Sequence, residues 1–167
     1  DMCAFGEDLS SMLGKDSHTE FHKLFYSTLN NGWSELVDKY NLFIKDIIGP
    51  YLHLNEFLYQ KYPTFRIHLP DNTAICIKHY DSDEKHNHPQ GEINFIYALT
   101  DMYDTNTIWV EKMPRLEEYL PVTLKQGDCI CFNGNICSHY NKINKTGKTR
   151  VSFDFRVLPL NYYNPDT

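Results

Sequence analysis

The chain reads as mainly β with N-terminal helices, its strands arranged as a double-stranded β-helix, or jelly-roll barrel. Three observations predict this. Apolar residues recur at helical spacing within residues 17–49. Beyond Pro63 the spacing drops to the two-residue alternation of strands. From there to about residue 160, short apolar runs alternate with turn signals, the pattern of sandwiches and barrels. At 167 residues the expectation is one domain spanning 1–167, with 17–49 as helical support and 62–160 as the jelly-roll core.

Residues 1–16 lack periodicity and read as loop. Phe21, Leu24, Phe25 and Leu29 form a first helical stripe, ending near Asn30-Asn31-Gly32. Trp33, Leu36, Val37, Tyr40, Ile44, Ile47 and Ile48 form a second, which Gly49-Pro50 is expected to stop. These stripes suit packing against a sheet. Phe65, Ile67 and Leu69 then alternate with polar residues. Further strands are expected at Ala74–Ile77, Ile93–Leu99, Thr107–Val110, Val122–Leu124, Cys129–Phe132 and Val151–Val157. Turn signals separate them, among them Pro89-Gln90-Gly91, Gln126-Gly127-Asp128 and Asn133-Gly134-Asn135. There are no internal repeats or low-complexity segments.

Composition narrows the function. A formal net charge of −6 and the absence of a polybasic run argue against nucleic acid. No apolar run approaches the ~18 residues of a membrane span. No signal peptide is visible, so a cytoplasmic location is expected. The chain opens at Asp1-Met2, which also fits part of a longer protein. Five cysteines with no C-x-x-C argue against a disulfide framework or structural zinc and read as free thiols. Twelve Tyr and ten Phe suit strands and the walls of a concave site. Oligomeric state is not legible.

Two segments about fifty residues apart carry the chemistry. His86-Asn87-His88-Pro89-Gln90-Gly91-Glu92 supplies imidazoles and a carboxylate around a turn. If extended, it would point His86 and His88 to one side, and the turn can fold Glu92 back towards them. His139, with Arg150 and Ser152 beyond it, is the second segment. This inventory suits an octahedral metal that keeps positions open for small ligands. A solvated loop is the bland alternative for the first segment, because Asp81-Ser82-Asp83-Glu84-Lys85 precedes it. Arg150, Ser152, Asp154 and Arg156 alternate with Val151, Phe153, Phe155 and Val157. The polar face of that strand either meets water or lines the barrel interior, where Arg150 could bind a carboxylate through a two-point fork.

Gly127-Asp128-Cys129-Ile130-Cys131-Phe132, His139, Asn144 and Arg150-Val151-Ser152 resemble the C-terminal half of the phytanoyl-CoA-hydroxylase-like iron(II)/2-oxoglutarate oxygenases. A smaller group associated with streptomycin biosynthesis clusters is similar over roughly residues 62–160. That similarity runs through His88-Pro89-x-Gly91-Glu92-x-Asn94, Thr105-Asn106-Thr107-x-Trp109-x-Glu111, Asn133-Gly134-Asn135-x-Cys137-x-His139 and Thr149–Val157. The resemblance implies iron(II) and 2-oxoglutarate as cofactors and oxidation of a small molecule. It places Arg150 and Ser152 on the distal carboxylate of 2-oxoglutarate, with Asn94, Thr107 and Trp109 as pocket residues. The usual proximal His-x-Asp/Glu is not met at His86 or His88. His86-x-His88-x-x-x-Glu92 is instead the cupin motif, so the expected ligands are His88, Glu92 and His139, with His86 a fourth ligand or a pocket residue. Two alternatives stay open: a cupin-type metal enzyme without 2-oxoglutarate, and a non-catalytic jelly-roll binding module.

Overall fold

The computed structural model describes residues 19–71 and 77–164. The strand expected at Ala74–Ile77 therefore lies almost wholly outside the described residues, as do Cys3 and Cys76.

Helix α1 (Glu20–Asn30) starts at Thr19, whose hydroxyl accepts the His22 N–H. It ends before Gly32, which at φ +94° takes a conformation that favours glycine. Its inward stripe is His22, Phe25 and Leu29, while Phe21 and Leu24 face outward. Helix α2 (Ser34–Phe43) continues through a π-helical segment, Ile44–Ile48, into a last turn, Gly49–Tyr51. Gly49-Pro50 therefore does not stop the helix. The π segment moves bonding to wider spacing, as in Gly49 N–H to the Ile44 carbonyl, and Pro50 has no N–H to place. The widened turn also rotates the stripe: Tyr40, Ile44 and Ile48 go in, and Ile47 stays out.

Among the described residues eight strands follow: β1 (Phe57–Tyr59), β2 (Thr64–His68), β3 (Ile93–Ala98), β4 (Ile108–Glu111), β5 (Tyr119–Pro121), β6 (Cys129–Phe132), β7 (His139–Asn141) and β8 (Arg150–Pro159). They form two antiparallel sheets. In the larger, β8 pairs with β1 and β2 on one edge and β3 on the other, and β6 lies beyond β3. The smaller runs β5-β4-β7. Val122–Leu124 is not a strand: pairing falls earlier, at Tyr119–Pro121, and Leu124 makes a single bridge with Met102.

Register decides which side chains share a face. Phe95 pairs with Phe155, and Ile93 with Val157. With Tyr40, Ile44 and Ile48 they make the helix-facing core, where the Phe95 and Phe155 rings stack at 5.0 Å. On the opposite face, Ile96, Ala98 and Ile130 of the large sheet meet Ile108 and Val110 of the small one. The polar residues of β8 share that second face, where Arg150 and Ser152 are buried between the sheets and Asp154 and Arg156 stay partly exposed. No helix among the described residues is long and apolar enough to cross a membrane.

Candidate metal centre

Strand β7 brings His139 to the cavity between the sheets, where it bridges to His79 through paired backbone hydrogen bonds of 3.2 and 3.0 Å. Asp81 lies two residues after His79 and lines the same cavity. His79, Asp81 and His139 offer one ligand atom each, all within 4.8 Å of one another. Asp81 Oδ1 sits 3.3 Å from His79 Nε2 and 3.6 Å from His139 Nε2. Adjacent ligand atoms of an octahedral ion with bonds of about 2.1 Å lie about 3 Å apart, so the group fits one divalent metal with little movement.

The second ring nitrogens fix the tautomer. His79 Nδ1 lies 2.7 Å from the Ile77 carbonyl, and His139 Nδ1 lies 3.2 Å from the Cys137 carbonyl. A carbonyl only accepts, so each Nδ1 carries the proton and each Nε2 presents a lone pair. Both rings thus hold the form a metal ligand needs. Burial lowers His139 to about 4, against the opposing pull of Asp81, so its ring is neutral at pH 7. Burial pushes the Asp81 carboxyl up. With the imidazoles protonated, the His79 hydrogen bond and the His139 charge join the Asn94 amide in more than offsetting this, and they hold it well below the usual carboxylate range.

Asp81 is fixed from three sides. Asn94 Nδ2 donates to its Oδ2 at 2.6 Å, its own N–H donates to the Gly134 carbonyl at 2.9 Å, and the His88 N–H donates to its carbonyl at 3.1 Å. Gly134 packs so tightly that a Cβ there would collide with Asp81 Oδ2 and lie 2.9 Å from Asn94 Oδ1. The turn Asn133-Gly134-Asn135 is therefore part of the site.

The residues singled out by sequence fall in three places. His139, Asn94, Arg150 and Ser152 line the central cavity. Arg150 is buried, its Nε donating to the Asn106 carbonyl at 3.1 Å and its Nη1 to Ser152 Oγ at 2.9 Å. His88 and Glu92 are not brought to His139. His88 Nδ1 lies 2.9 Å from Glu92 Oε1, which is 3.0 Å from Arg156 Nε, and the three line a separate open hollow. The His86 ring lies tilted against that of His79, with centroids 4.2 Å apart, without joining the ligand group. The expected extended His86-x-His88 does not form. Residues 81–86 coil into turns, with the His86 and Asn87 N–H groups on the Asp83 carbonyl and Asn87 at φ +48°. Thr107 is buried, its carbonyl accepting from Asn141, but does not line the cavity. Trp109 faces away from the cavity, because Ile108 and Val110 on either side of it face in. Its ring carries Lys142 at 3.2 Å.

His79-Tyr80-Asp81 does not stand out in the sequence. It has the proximal His-x-Asp spacing of the resembled superfamily, but Asp81 opens a charge run that reads as solvated loop.

Two antiparallel sheets around a His/Asp/His group, with its aspartate and one histidine buried, define a β protein able to hold a mononuclear metal. The chain belongs to the StrG family: it is 32% identical over 151 residues to the streptomycin biosynthesis protein StrG of Streptomyces griseus, covering 90% of this chain and 68% of StrG. No protein-family model matches it. The fold is shared with the non-haem monooxygenase ThoJ. Its nickel complex superposes with a TM-score of 0.52 at 19% identity, and its apo form with 0.51 at 18%, each over 70% of this chain. The chain spans about half the length of those solved chains, 49% and 51% respectively.

Proposed function

We propose that this protein is a mononuclear non-haem iron(II) oxygenase acting on a small molecule. The observation that supports this most is the pair of imidazoles, each tied through Nδ1 to a backbone carbonyl, facing one buried carboxylate. Two histidines and one carboxylate with open positions form the facial triad of iron(II) oxygenases. His79, Asp81 and His139 would hold the ion, which supplies activation of dioxygen when bound. The facing sheets would be the two walls of the expected jelly roll. Membership of the StrG family supports a substrate from small-molecule biosynthesis.

We further propose 2-oxoglutarate as cosubstrate. Arg150 and Ser152 would hold its distal carboxylate, Arg150 from a β8 face shielded from water by both sheets. The chain's own part is orientation: Arg150 aligns the carboxylate, Asn94 holds Asp81, and the apolar lining of Ile96, Met102 and Ile108 excludes water. Metal-dependent oxidation without 2-oxoglutarate is the second reading. The engagement of Arg150 Nε and Nη1 with Asn106 and Ser152 favours it, since a purely structural arginine would look the same. Anaerobic reconstitution with iron(II), followed by 2-oxoglutarate and oxygen, separates them. Succinate release and a 2-oxoglutarate-dependent absorbance band are expected. Iron binding with neither signal would favour the second reading.

A further inference from the structure

Glu111 is a carboxylate on the outward-facing side of β4, yet only 3% exposed. A strand-face glutamate ordinarily keeps its charge in water, and burying it is costly unless donors surround it. Here they do. Its Oε2 accepts the Tyr80 hydroxyl at 3.2 Å and the Ser138 N–H at 3.0 Å, and its Oε1 accepts the Glu117 N–H at 2.7 Å. Two of these donors have a common property. Tyr80 stands between His79 and Asp81, and Ser138 immediately precedes His139.

In an extended segment alternate side chains point to opposite sides. His79 and Asp81 face the cavity, so Tyr80 faces away from it, and there Glu111 holds it. The guanidinium of Arg115 lies over the Tyr80 ring at 4.3 Å. Arg115 and Glu117 both adopt positive φ, +63° and +59°, which non-glycine residues rarely do. The β4–β5 connection is thus bent tightly onto the back of the ligand-bearing segment. Backbone pairing at the His79–His139 bridge sets one point of contact between the two segments, and Glu111 sets a second.

We propose that Glu111 is a positioning residue for the metal centre: one buried carboxylate that fixes the spacing between the His79/Asp81 segment and His139 through the Tyr80 hydroxyl and the Ser138 amide. This rests on the triad reading given above. Groups beyond the ligands that orient them change metal affinity by about 10- to 100-fold. Glu111 acts through one intervening residue on each side, which places its effect near the lower end.

The test uses Co(II), whose visible absorption reports coordination geometry, titrated into the full chain and into Tyr80→Phe, Glu111→Gln and the double variant. Tyr80→Phe removes a single hydroxyl and keeps the ring under Arg115, so it carries the test even if Glu111→Gln folds poorly. Tyr80→Phe is expected to weaken Co(II) binding about tenfold and to alter the visible bands. The double variant should lose no more than Glu111→Gln alone, because both changes break the same link. If the wild type binds Co(II) and Tyr80→Phe binds it with the same affinity and spectrum, the positioning role is overturned and the triad stands. If the wild type takes up no Co(II), the triad reading itself fails, and this inference with it.

Discussion

Asp81 is held from several directions at once. Its carboxylate is shared between Asn94 and the two imidazoles, and Gly134 leaves it just enough room. Gly134 has an ordinary negative φ, so close approach and not backbone freedom explains the glycine. Gly134→Ala should therefore displace Asp81 or Asn94 and lower metal affinity by about tenfold or more, with a smaller effect on folding. Isothermal titration with Co(II), set against thermal melting of the metal-free variant, checks this; unchanged affinity would mean that the turn absorbs the methyl group. Arg150 makes a different prediction. Arg150→Ala should leave metal affinity intact and weaken 2-oxoglutarate binding by roughly 30- to 150-fold, the equivalent of about 2–3 kcal/mol for a charge-assisted pair. Arg150→Lys should restore only part, since an ammonium cannot form the planar fork. Arg156 shares the strand face, but Glu92 already stands 3.0 Å from it. Loss of the 2-oxoglutarate band in Arg156→Ala, with the band kept in Arg150→Ala, would reverse the assignment.

At the scale of elements, the strand carrying His68 makes stability depend on pH. His68 is fully buried beside Arg150 on the neighbouring strand, and both rest on the Asn106 carbonyl, at 3.3 Å from His68 Nδ1 and 3.1 Å from Arg150 Nε. Burial first, and then the Arg150 charge, lower His68 to about 4. The unfolded chain binds this proton below about pH 6.5 and the fold refuses it until about pH 4. Stability from this group is therefore fully present above 6.5 and falls as pH drops towards 4, by up to about 3 kcal/mol. His139 adds loss in the same direction. Urea midpoints of the metal-free chain should drop between pH 7 and pH 5, and less steeply in His68→Gln. Equal slopes in both proteins would contradict this. The strands themselves were unequally legible in sequence. β3 and β6 stand out as apolar runs bounded by turn signals, while β8 alternates over a run long enough to show its period and extends even further than its pattern required. β1, β5 and β7 are three residues each and pair at sheet ends or edges, where no sustained apolar pattern is needed.

The molecule as a whole explains why the centre was only half legible. His139 follows a strong strand and a glycine turn, so its neighbourhood announces it. His79 and Asp81 do not stand out, because their role depends on a bridge to β7 some sixty residues away, and a charge run follows them. His88 and Glu92 carry a recognisable spacing, yet the turns over residues 81–86 direct them to a different hollow. A two-residue spacing puts side chains on one side only when the intervening backbone is extended, and here it coils. The most direct measurement is Co(II) uptake by Asp81→Ala and Glu92→Ala side by side, with His79→Ala and His88→Ala as a second pair. The triad of His79, Asp81 and His139 predicts that Asp81→Ala and His79→Ala lose stoichiometric binding, while Glu92→Ala and His88→Ala bind one ion per chain with near wild-type affinity. Stoichiometric binding in Asp81→Ala, together with its loss in Glu92→Ala, would contradict that account.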